Sequence, residues 1–119
     1  HSIIKICDFI GISTDFEKFS NETRSYRKPS HPGEWGLIIS ELNEASSYIN
    51  APGGESFYDI NEFVEAKIRL GFIHPALPKY EQNRQGIFVN GLSILDVLMF
   101  NDTDKTRQIV SDYTVDWKN

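Results

Sequence analysis

The sequence predicts an α/β fold in a single domain, with a small, mainly parallel sheet flanked by amphipathic helices. The first indication is that apolar residues recur at the helical spacing i, i+3, i+4 and i+7 in separate segments of the 119-residue chain. The second is that short runs of β-branched and aromatic residues lie between those segments. Strands that alternate with helices are typical of parallel sheets, because a helix connects each strand to the next.

Helical periodicity predicts five helices. Gly11 closes the first, since glycine is favoured just after a helix C-terminus. Pro32 precedes the second, where proline is well tolerated. The second helix is predicted from Gly33 to Glu44. The apolar or capping residues of the five are Ile3, Ile6, Cys7 and Ile10; Trp35, Ile38, Ile39, Leu42 and Ala45; the capping-box pair Asp59 and Glu62 with inward-facing Ile60, Phe63 and Val64; Leu92, Leu95, Leu98 and Met99; and Thr106, Ile109, Val110 and Tyr113.

Four segments between the helices are predicted to be strands, and a polar segment at 21–31 is predicted to be a loop. The length of that loop makes it either mobile or functional. Trp117 is expected either to pack on the core or to belong to a frayed tail. The predicted strands are Ile12 to Phe19, Ser47 to Asn50, Ile68 to Ile73 and Ile87 to Val89.

The composition excludes several classes of function. The net charge is −5, and the one basic concentration is Arg24, Arg27 and Lys28, which we expect to be solvated. Binding to nucleic acid without sequence preference requires a basic face, so we expect no nucleic-acid partner. Cys7 is the only cysteine, which excludes an intrachain disulfide and a cysteine-based metal site. We expect no metal, and the sequence names no cofactor.

The remaining general features concern location and chain ends. No apolar stretch is long enough to span a bilayer, so we expect no membrane span. The lone cysteine fits a reducing compartment, and we expect a cytoplasmic protein. His1 and Ser2 directly precede an apolar helix, and we expect residues 1–2 to be a tag remnant.

The most patterned stretch runs from Tyr80 to Phe100. An Asn-Gly turn separates the apolar run at Ile87 to Val89 from a helical pattern, and Ser93 and Asp96 stand in the S-x-x-D relation of a capping box. One interpretation is that both residues only satisfy backbone N–H groups at a helix start. The other is that this helix N-terminus binds a phosphate or carboxylate.

Three further features are candidate site residues. Gly53 and Gly54 follow a predicted strand and either let backbone N–H groups approach a phosphate or supply positive φ for a tight turn. His74 lies at the carboxyl end of a predicted strand, where it is either a proton-transfer group or an ordinary loop residue. Tyr80 offers an aromatic ring and a hydroxyl, and Gln82 offers paired donor and acceptor groups, so both could bind a ligand. The alternative is that both residues belong to an ordinary surface loop.

The order and spacing of these features resemble the WbqC-like family, whose members are encoded among bacterial surface-polysaccharide genes. The most specific segment is Leu92 to Leu98 after Phe88. The family's usual opening segment is absent, so residues 1–119 resemble the C-terminal portion of such a protein. The other residues that carry the resemblance are Gly11, Ile12, Ser13 and Thr14; Ser47, Tyr48 and Ile49; Gly53, Gly54, Tyr58 and Phe63; Ile68; His74 and Pro75; and Tyr80 and Gln82.

The resemblance implies a component of a transferase that moves an amino acid or another acyl group onto an amino sugar or sugar nucleotide in O-antigen assembly. On this view His74 and Asp96 are catalytic, and the substrate-binding residues are Gly53, Gly54, Tyr58, Tyr80, Gln82 and Ser93. The partner is then a small-molecule substrate. Apolar surface where a preceding half would pack also predicts a homo-oligomer. The alternative is a non-catalytic ligand-binding or assembly module, in which these residues are caps and turns.

Overall fold

A computed structural model describes residues 2–82 and 86–119. Their contacts divide the chain into two compact units, one formed by residues 2–21 and 75–113 and the other by residues 22–74 and 114–119. Short 3-10 helices cover Phe19–Asn21 and Pro52–Phe57. The remaining elements are α1 (Ser2–Ile10), α2 (Glu34–Leu42), β1 (Ser47–Asn50), α3 (Ile60–Glu65), β2 (Arg69–Pro75), α4 (Ile94–Phe100), α5 (Thr103–Ser111) and β3 (Tyr113–Trp117).

The first unit contains α1, α4 and α5, and α5 contacts both other helices. Thr106 and Ile109 of α5 are buried, as their predicted face requires. Arg107 Nε donates to Ile10 O at 2.8 Å, so it satisfies one of the carbonyls left unpaired at the end of α1. Gly11 then ends α1 with a φ of 71°, a conformation that favours glycine, and the predicted helix end is confirmed.

The second unit contains the sheet, whose order is β1-β2-β3. β1 and β2 pair in parallel, with Ser47 opposite Arg69. On the other side of β2, Lys118 N donates to Leu70 O at 2.9 Å, whereas Ala76 N donates to Asp112 O at 2.8 Å. Residue numbers therefore rise along β2 as they fall along β3, so this pair is antiparallel. The α/β class is confirmed, in the form of a three-stranded mixed sheet.

The core of the second unit lies between the sheet and its helices. Tyr48, Tyr58 and Ala66 pack against it. Gly36 lets α2 approach β1 closely, because a Cβ there would lie 2.6 Å from the Tyr48 ring. The buried core residues are Leu37, Phe63, Ile68, Leu70 and Phe72.

Two predicted strands are wrong. Ile12 to Phe19 is irregular, and most of its side chains are exposed, so no partner strand satisfies its backbone. Ile87 to Val89 is also irregular. Its backbone bonds instead with a side chain, since Val89 N donates to Gln82 Oε1 at 2.9 Å. The predicted strands at Ser47 and Ile68 correspond to β1 and β2.

The last helix and the tail also differ from the prediction. α5 ends at Ser111, and Tyr113 belongs to β3 rather than to the helical face. Trp117 lies on the same strand, where its ring packs beside Gly71. A Cβ at Gly71 would lie 2.8 Å from that ring, so glycine makes room for it. The frayed-tail alternative for Trp117 is therefore wrong.

Several apolar stripes are less buried than predicted. In α3 only Phe63 is buried, while Ile60 and Val64 are exposed. In α4 the buried residue is Val97, and Leu95 and Met99 face solvent. These helices are only six and seven residues long, so each presents about one inward position per turn to its own unit. Other exposed members of predicted stripes are Ile3, Trp35 and Leu92.

Candidate functional site

The residues before α4 fix its N-terminus and place a carboxylate beside it. Ser93 Oγ accepts a hydrogen bond from Leu95 N at 3.2 Å, which makes Ser93 the N-cap. Asp96 lies in the first turn, where the helix dipole favours negative charge. A phosphate or carboxylate bound at this N-terminus would be repelled by the Asp96 carboxylate. The geometry therefore favours the capping interpretation of Ser93.

Asp96 Oδ2 accepts hydrogen bonds from two side chains of the segment before α4. Tyr80 Oη donates at 2.6 Å, and Gln82 Nε2 donates at 2.9 Å. Gln82 Nε2 also lies 3.1 Å from Tyr80 Oη. We call these residues the Tyr80–Gln82–Asp96 network. It places a phenol and a carboxylate in direct contact, an arrangement that can accept, hold or deliver a proton.

Gln82 is the buried member of the network and holds it in place. Its Nε2 donates to Val89 O at 3.1 Å and its Oε1 accepts from Val89 N at 2.9 Å. The side-chain amide thus pairs with one backbone residue in both directions, as a neighbouring strand would. Because both ends of the amide are used within the chain, Gln82 positions Tyr80 and Asp96. Substrate binding by Gln82 stays a prediction.

The Tyr80 ring is fixed separately from its hydroxyl. Phe88 packs edge-on against it, with ring centroids 5.3 Å apart and an interplanar angle of 87°. Aromatic pairs favour this geometry, which contributes about 0.5–1.5 kcal/mol beyond area burial. Phe88, two positions before Asn90 of the Asn-Gly turn, therefore supports the network, although it belongs to no strand.

A second polar cluster lies in the other unit. Tyr48 Oη and Tyr58 Oη are 3.2 Å apart, and Asn50 Nδ2 donates to Tyr58 Oη. Burial, followed by the hydrogen bond with Tyr58, raises the pKa of Tyr48 well above its ordinary value. Tyr48 therefore stays a neutral phenol at physiological pH. The Tyr58 hydroxyl, predicted to bind substrate, is engaged with these neighbours.

Gly53 and Gly54 lie in the 3-10 helix Pro52–Phe57. Neither has a positive φ, so the tight-turn explanation for them is wrong. Gly54 N already donates to Ala51 O at 3.2 Å. A phosphate would have to compete with that bond, and the nearest charged residue along the chain is acidic Glu55. The phosphate-binding role of these glycines stays a prediction.

A shallow depression of about 680 Å³ opens beside this 3-10 helix. It is lined by His31 and by the segment 56–61, and we call it the 56–61 depression. His31 Nε2 lies 3.0 Å from Glu62 Oε1, and this hydrogen bond raises the pKa of His31. Sequence reasoning missed this pair, because a contact between residues 31 apart leaves no signal in local periodicity.

His74 lies near the carboxyl end of β2, as predicted, and its side chain is exposed. It interacts electrostatically with Asp116 of β3. Lys118 Nζ pairs with Asp116 at 2.7 Å and with Glu55 at 2.6 Å. The hydrogen bond from Lys118 lowers the pKa of Asp116, and His74 adds a smaller effect in the same direction. His74 belongs to the second unit, whereas Tyr80 and Asp96 belong to the first.

Ion pairs and hydrogen bonds of two arginines anchor the loop 21–31. Arg24 pairs with Glu22 and donates to Leu42 O, and Arg27 pairs with Glu34 and Glu41. The expectation that these arginines are merely solvated is wrong. Glu34 accepts Ser30 N at 2.5 Å, and this bond, followed by that from Arg27, lowers the pKa of Glu34 to about 2.

We expect Glu34→Gln to lower the midpoint of thermal unfolding near neutral pH. Because the folded pKa lies below the ordinary value of 4.5, the carboxylate stabilises the fold above that pH, and the stabilisation is lost as the pH falls through about 2. Circular dichroism melts across this range measure the effect. Exposed Glu17→Gln is the control. A difference between wild type and Glu34→Gln that stays constant at every pH would contradict the account.

The described residues offer neither a metal site nor a membrane-spanning helix. Within residues 2–82 and 86–119, no group of three or more His, Cys, Asp or Glu side chains is arranged to hold a metal ion. None of the helices in that part of the chain combines the length and apolarity needed to cross a membrane.

The comparison with known families assigns the chain to a family. The sequence pattern of the WbqC-like protein family matches residues 1–108. The chain belongs to the WbqC-like protein family. No curated protein and no solved structure matches it. Family membership therefore supports the resemblance inferred from the segment around α4, while the roles of individual residues rest on the geometry of this WbqC-like chain.

The structure brings together some of the predicted site residues of this WbqC-like protein. Tyr80, Gln82 and Asp96 are in direct contact, and Ser93 caps the helix that carries Asp96. Gly53, Gly54, Tyr58 and His74 lie in the second unit. The network is thus the most compact set of candidate residues, and the second unit supplies a separate candidate surface.

Proposed function

We propose that this WbqC-like chain is part of a transferase that moves an aminoacyl or acyl group onto an amino sugar or sugar nucleotide during bacterial surface-polysaccharide assembly in the cytoplasm. The observation that carries the proposal is the Tyr80–Gln82–Asp96 network at the start of α4. Family membership supports the setting. The network supplies a fixed carboxylate and phenol, which can act as the proton acceptor and proton donor of amine acylation.

The proposed step forms one bond and breaks one. The amine nitrogen of the sugar attacks the acyl carbon of an activated donor, forming a C–N bond, and the bond from that carbon to the donor's leaving group breaks with its electron pair. Asp96 takes the proton that the amine loses. Tyr80 holds the carboxylate in place and returns a proton to the leaving group, with the Asp96 proton replacing its own.

The other residues have supporting roles in this proposal. Gln82 is anchored by its two hydrogen bonds to Val89, and it thereby holds Tyr80 and Asp96 in position. Ser93 keeps the helix start in place, so that the position of Asp96 is defined. His74 remains a second candidate for proton transfer, because its imidazole is exposed at the end of β2.

The test is formation of the N-acylated sugar. The wild-type protein is incubated with amino sugars or nucleotide-linked amino sugars and with activated aminoacyl or acyl donors, and products are followed by mass spectrometry. We expect a product whose mass equals the sugar plus the acyl group minus one hydrogen. If no donor and acceptor pair from a broad panel gives product with well-folded protein, the proposal is wrong for this chain.

The alternative is a non-catalytic binding or assembly module. One observation favours it: both the nitrogen and the oxygen of the Gln82 amide form hydrogen bonds within the chain, as expected of a residue whose role is structural. Exposed Leu95 and Met99 on α4 would then serve self-association. Sedimentation distinguishes this case, because an assembly module should form oligomers that weaken when Met99 is replaced by a polar residue.

A further inference from the structure

The 56–61 depression has the size and composition of a small-molecule site. Its volume of about 680 Å³ falls within the range of about 300–1,000 Å³ typical of ligand pockets. Its lining combines an aromatic ring, an aliphatic side chain, a carboxylate and an amide, from Phe57, Ile60, Asp59 and Asn61. These groups lie close together because only Tyr58 and Asp59 separate the 3-10 helix from α3.

The charge around the depression is negative. Asp59 lines it, and its Oδ1 caps α3 by accepting Asn61 N at 2.9 Å. Among the described residues, His31 is the only basic side chain that lines the depression, and Glu62 offsets its charge at 3.0 Å. Glu34, the next carboxylate near His31, is paired with Arg27 at 2.9 Å. The surplus carboxylate of Asp59 disfavours phosphates and favours ligands that are neutral or positively charged.

The apolar part of the depression is an open aromatic face. Phe57 is 59% exposed although its neighbour Tyr58 packs into the core. Ile60 beside it is 41% exposed. An exposed phenyl ring with adjacent carboxylate and amide groups suits a pyranose, whose ring carries C–H groups on one face and hydroxyl or amino groups at its rim. The ring's negative face also attracts a nearby cation.

We propose that the 56–61 depression binds the pyranose ring of an amino sugar. The C–H face of the sugar lies on Phe57, its ammonium group faces Asp59, and its hydroxyls bond with Asn61. This inference goes beyond the proposed transfer step, because a sugar whose ammonium group is paired with Asp59 is not the one whose amine attacks at Asp96. It rests on the proposed function for the choice of amino sugars over other ammonium compounds. It gives the second unit a binding role that the network of the first unit does not supply.

The test is a titration of the wild-type chain with glucosamine and N-acetylglucosamine, followed by backbone amide shifts in NMR spectra. Below the pKa of its amine, glucosamine should give saturable shifts confined to His31 and the segment 56–61, and should bind more tightly than the neutral N-acetyl form. Asp59→Asn should abolish that preference. Since asparagine caps helices as well as aspartate does, this variant keeps the start of α3 intact.

Phe57→Ala tests the aromatic face and should weaken glucosamine binding about tenfold, which corresponds to about 1.4 kcal/mol. The matched control is Phe16→Ala, since Phe16 is also exposed but lies in the other unit. It should leave binding unchanged. The inference is overturned if glucosamine gives no saturable shifts, or if inorganic phosphate produces the same shifts more strongly. It is also overturned if Asp59→Asn keeps the preference for glucosamine over N-acetylglucosamine, or if Phe57→Ala binds glucosamine as tightly as wild type.

These readouts do not depend on turnover, so the two proposals can fail separately. Glucosamine binding without any acyl-transfer product would support this binding site and contradict the proposed transferase activity. Product formation without saturable glucosamine shifts in the segment 56–61 would support the transferase and contradict this site.

Discussion

Replacing Asp96 with asparagine is expected to lower the rate of acyl transfer by about 10²–10⁴-fold, the range over which a positioned base or acid contributes. Asparagine has nearly the same shape and still accepts a hydrogen bond from Tyr80 or Gln82. It cannot take up the proton that the amine loses. Initial rates of product formation, measured by mass spectrometry at saturating donor and acceptor, give the change in kcat.

The matched control for this substitution is Asp104→Asn. Asp104 lies in the first turn of α5 in the same unit, and its side chain is exposed. Both substitutions remove one carboxylate from a helix start, which should cost about 0.3–1 kcal/mol of stability in each case. Asp96→Asn also weakens the charged hydrogen bonds from Tyr80 and Gln82, each of which contributes about 1.5–3 kcal/mol, so rates are compared per folded molecule. Asp104→Asn should keep full activity. If Asp96→Asn retains more than a tenth of the wild-type rate, Asp96 is not the base.

Replacing Gly33 with alanine is expected to lower the free energy of unfolding by about 3 kcal/mol, the upper end of the usual cost of overpacking. Gly33 is buried just before α2, and a Cβ there would lie 1.9 Å from Phe57 O. The obstacle is backbone, so rotation of a side chain cannot relieve the clash. Chemical denaturation with linear extrapolation measures the loss.

Gly53→Ala is the control for Gly33→Ala. A Cβ at Gly53 would meet nothing within 4 Å, and its φ lies outside the left-handed region. This variant should be more stable than wild type by about 0.4–1 kcal/mol, because alanine restricts the unfolded chain. Equal stability of the two variants would contradict the close packing of α2 against the segment at Phe57.

The elements predicted well are those whose signals are local. The end of α1 at Gly11 and the cap at Ser93 follow from conformational and hydrogen-bonding preferences of single residues. β1 and β2 follow from short apolar runs bounded by turn-forming residues. Such signals need no knowledge of distant parts of the chain, and they were sufficient to predict the α/β class.

The errors arise where distant residues decide the structure. β3 was missed because helical periodicity was extended to Tyr113, although Val115 and Trp117 alternate in the way a strand requires. Its pairing with β2 depends on Gly71, which makes room for Trp117 from 46 positions along the chain. Ile87 to Val89 has strand-forming residues, but a glutamine side chain satisfies its backbone at Val89 instead of a neighbouring strand.

The candidate site was predicted mainly from the family resemblance. Tyr80, Gln82 and Asp96 span 16 positions, and no spacing rule brings them together. The contact between His31 and Glu62 was missed for the same reason. By contrast, the roles of Arg24 and Arg27 could have been suspected, since the acidic residues Glu22, Glu34 and Glu41 lie close to them in the sequence.

The most direct test of the central claim is to measure transfer rate and unfolding free energy on the same preparation of Tyr80→Phe. This change removes only the hydroxyl that donates to Asp96 at 2.6 Å and keeps the ring that packs on Phe88. If the network serves catalysis, the rate per folded molecule should fall at least about tenfold while stability changes by no more than about 3 kcal/mol, the upper value for a hydrogen bond to a charged group. If the rate per folded molecule is unchanged and only stability falls, the network is a structural clamp and the catalytic account is wrong.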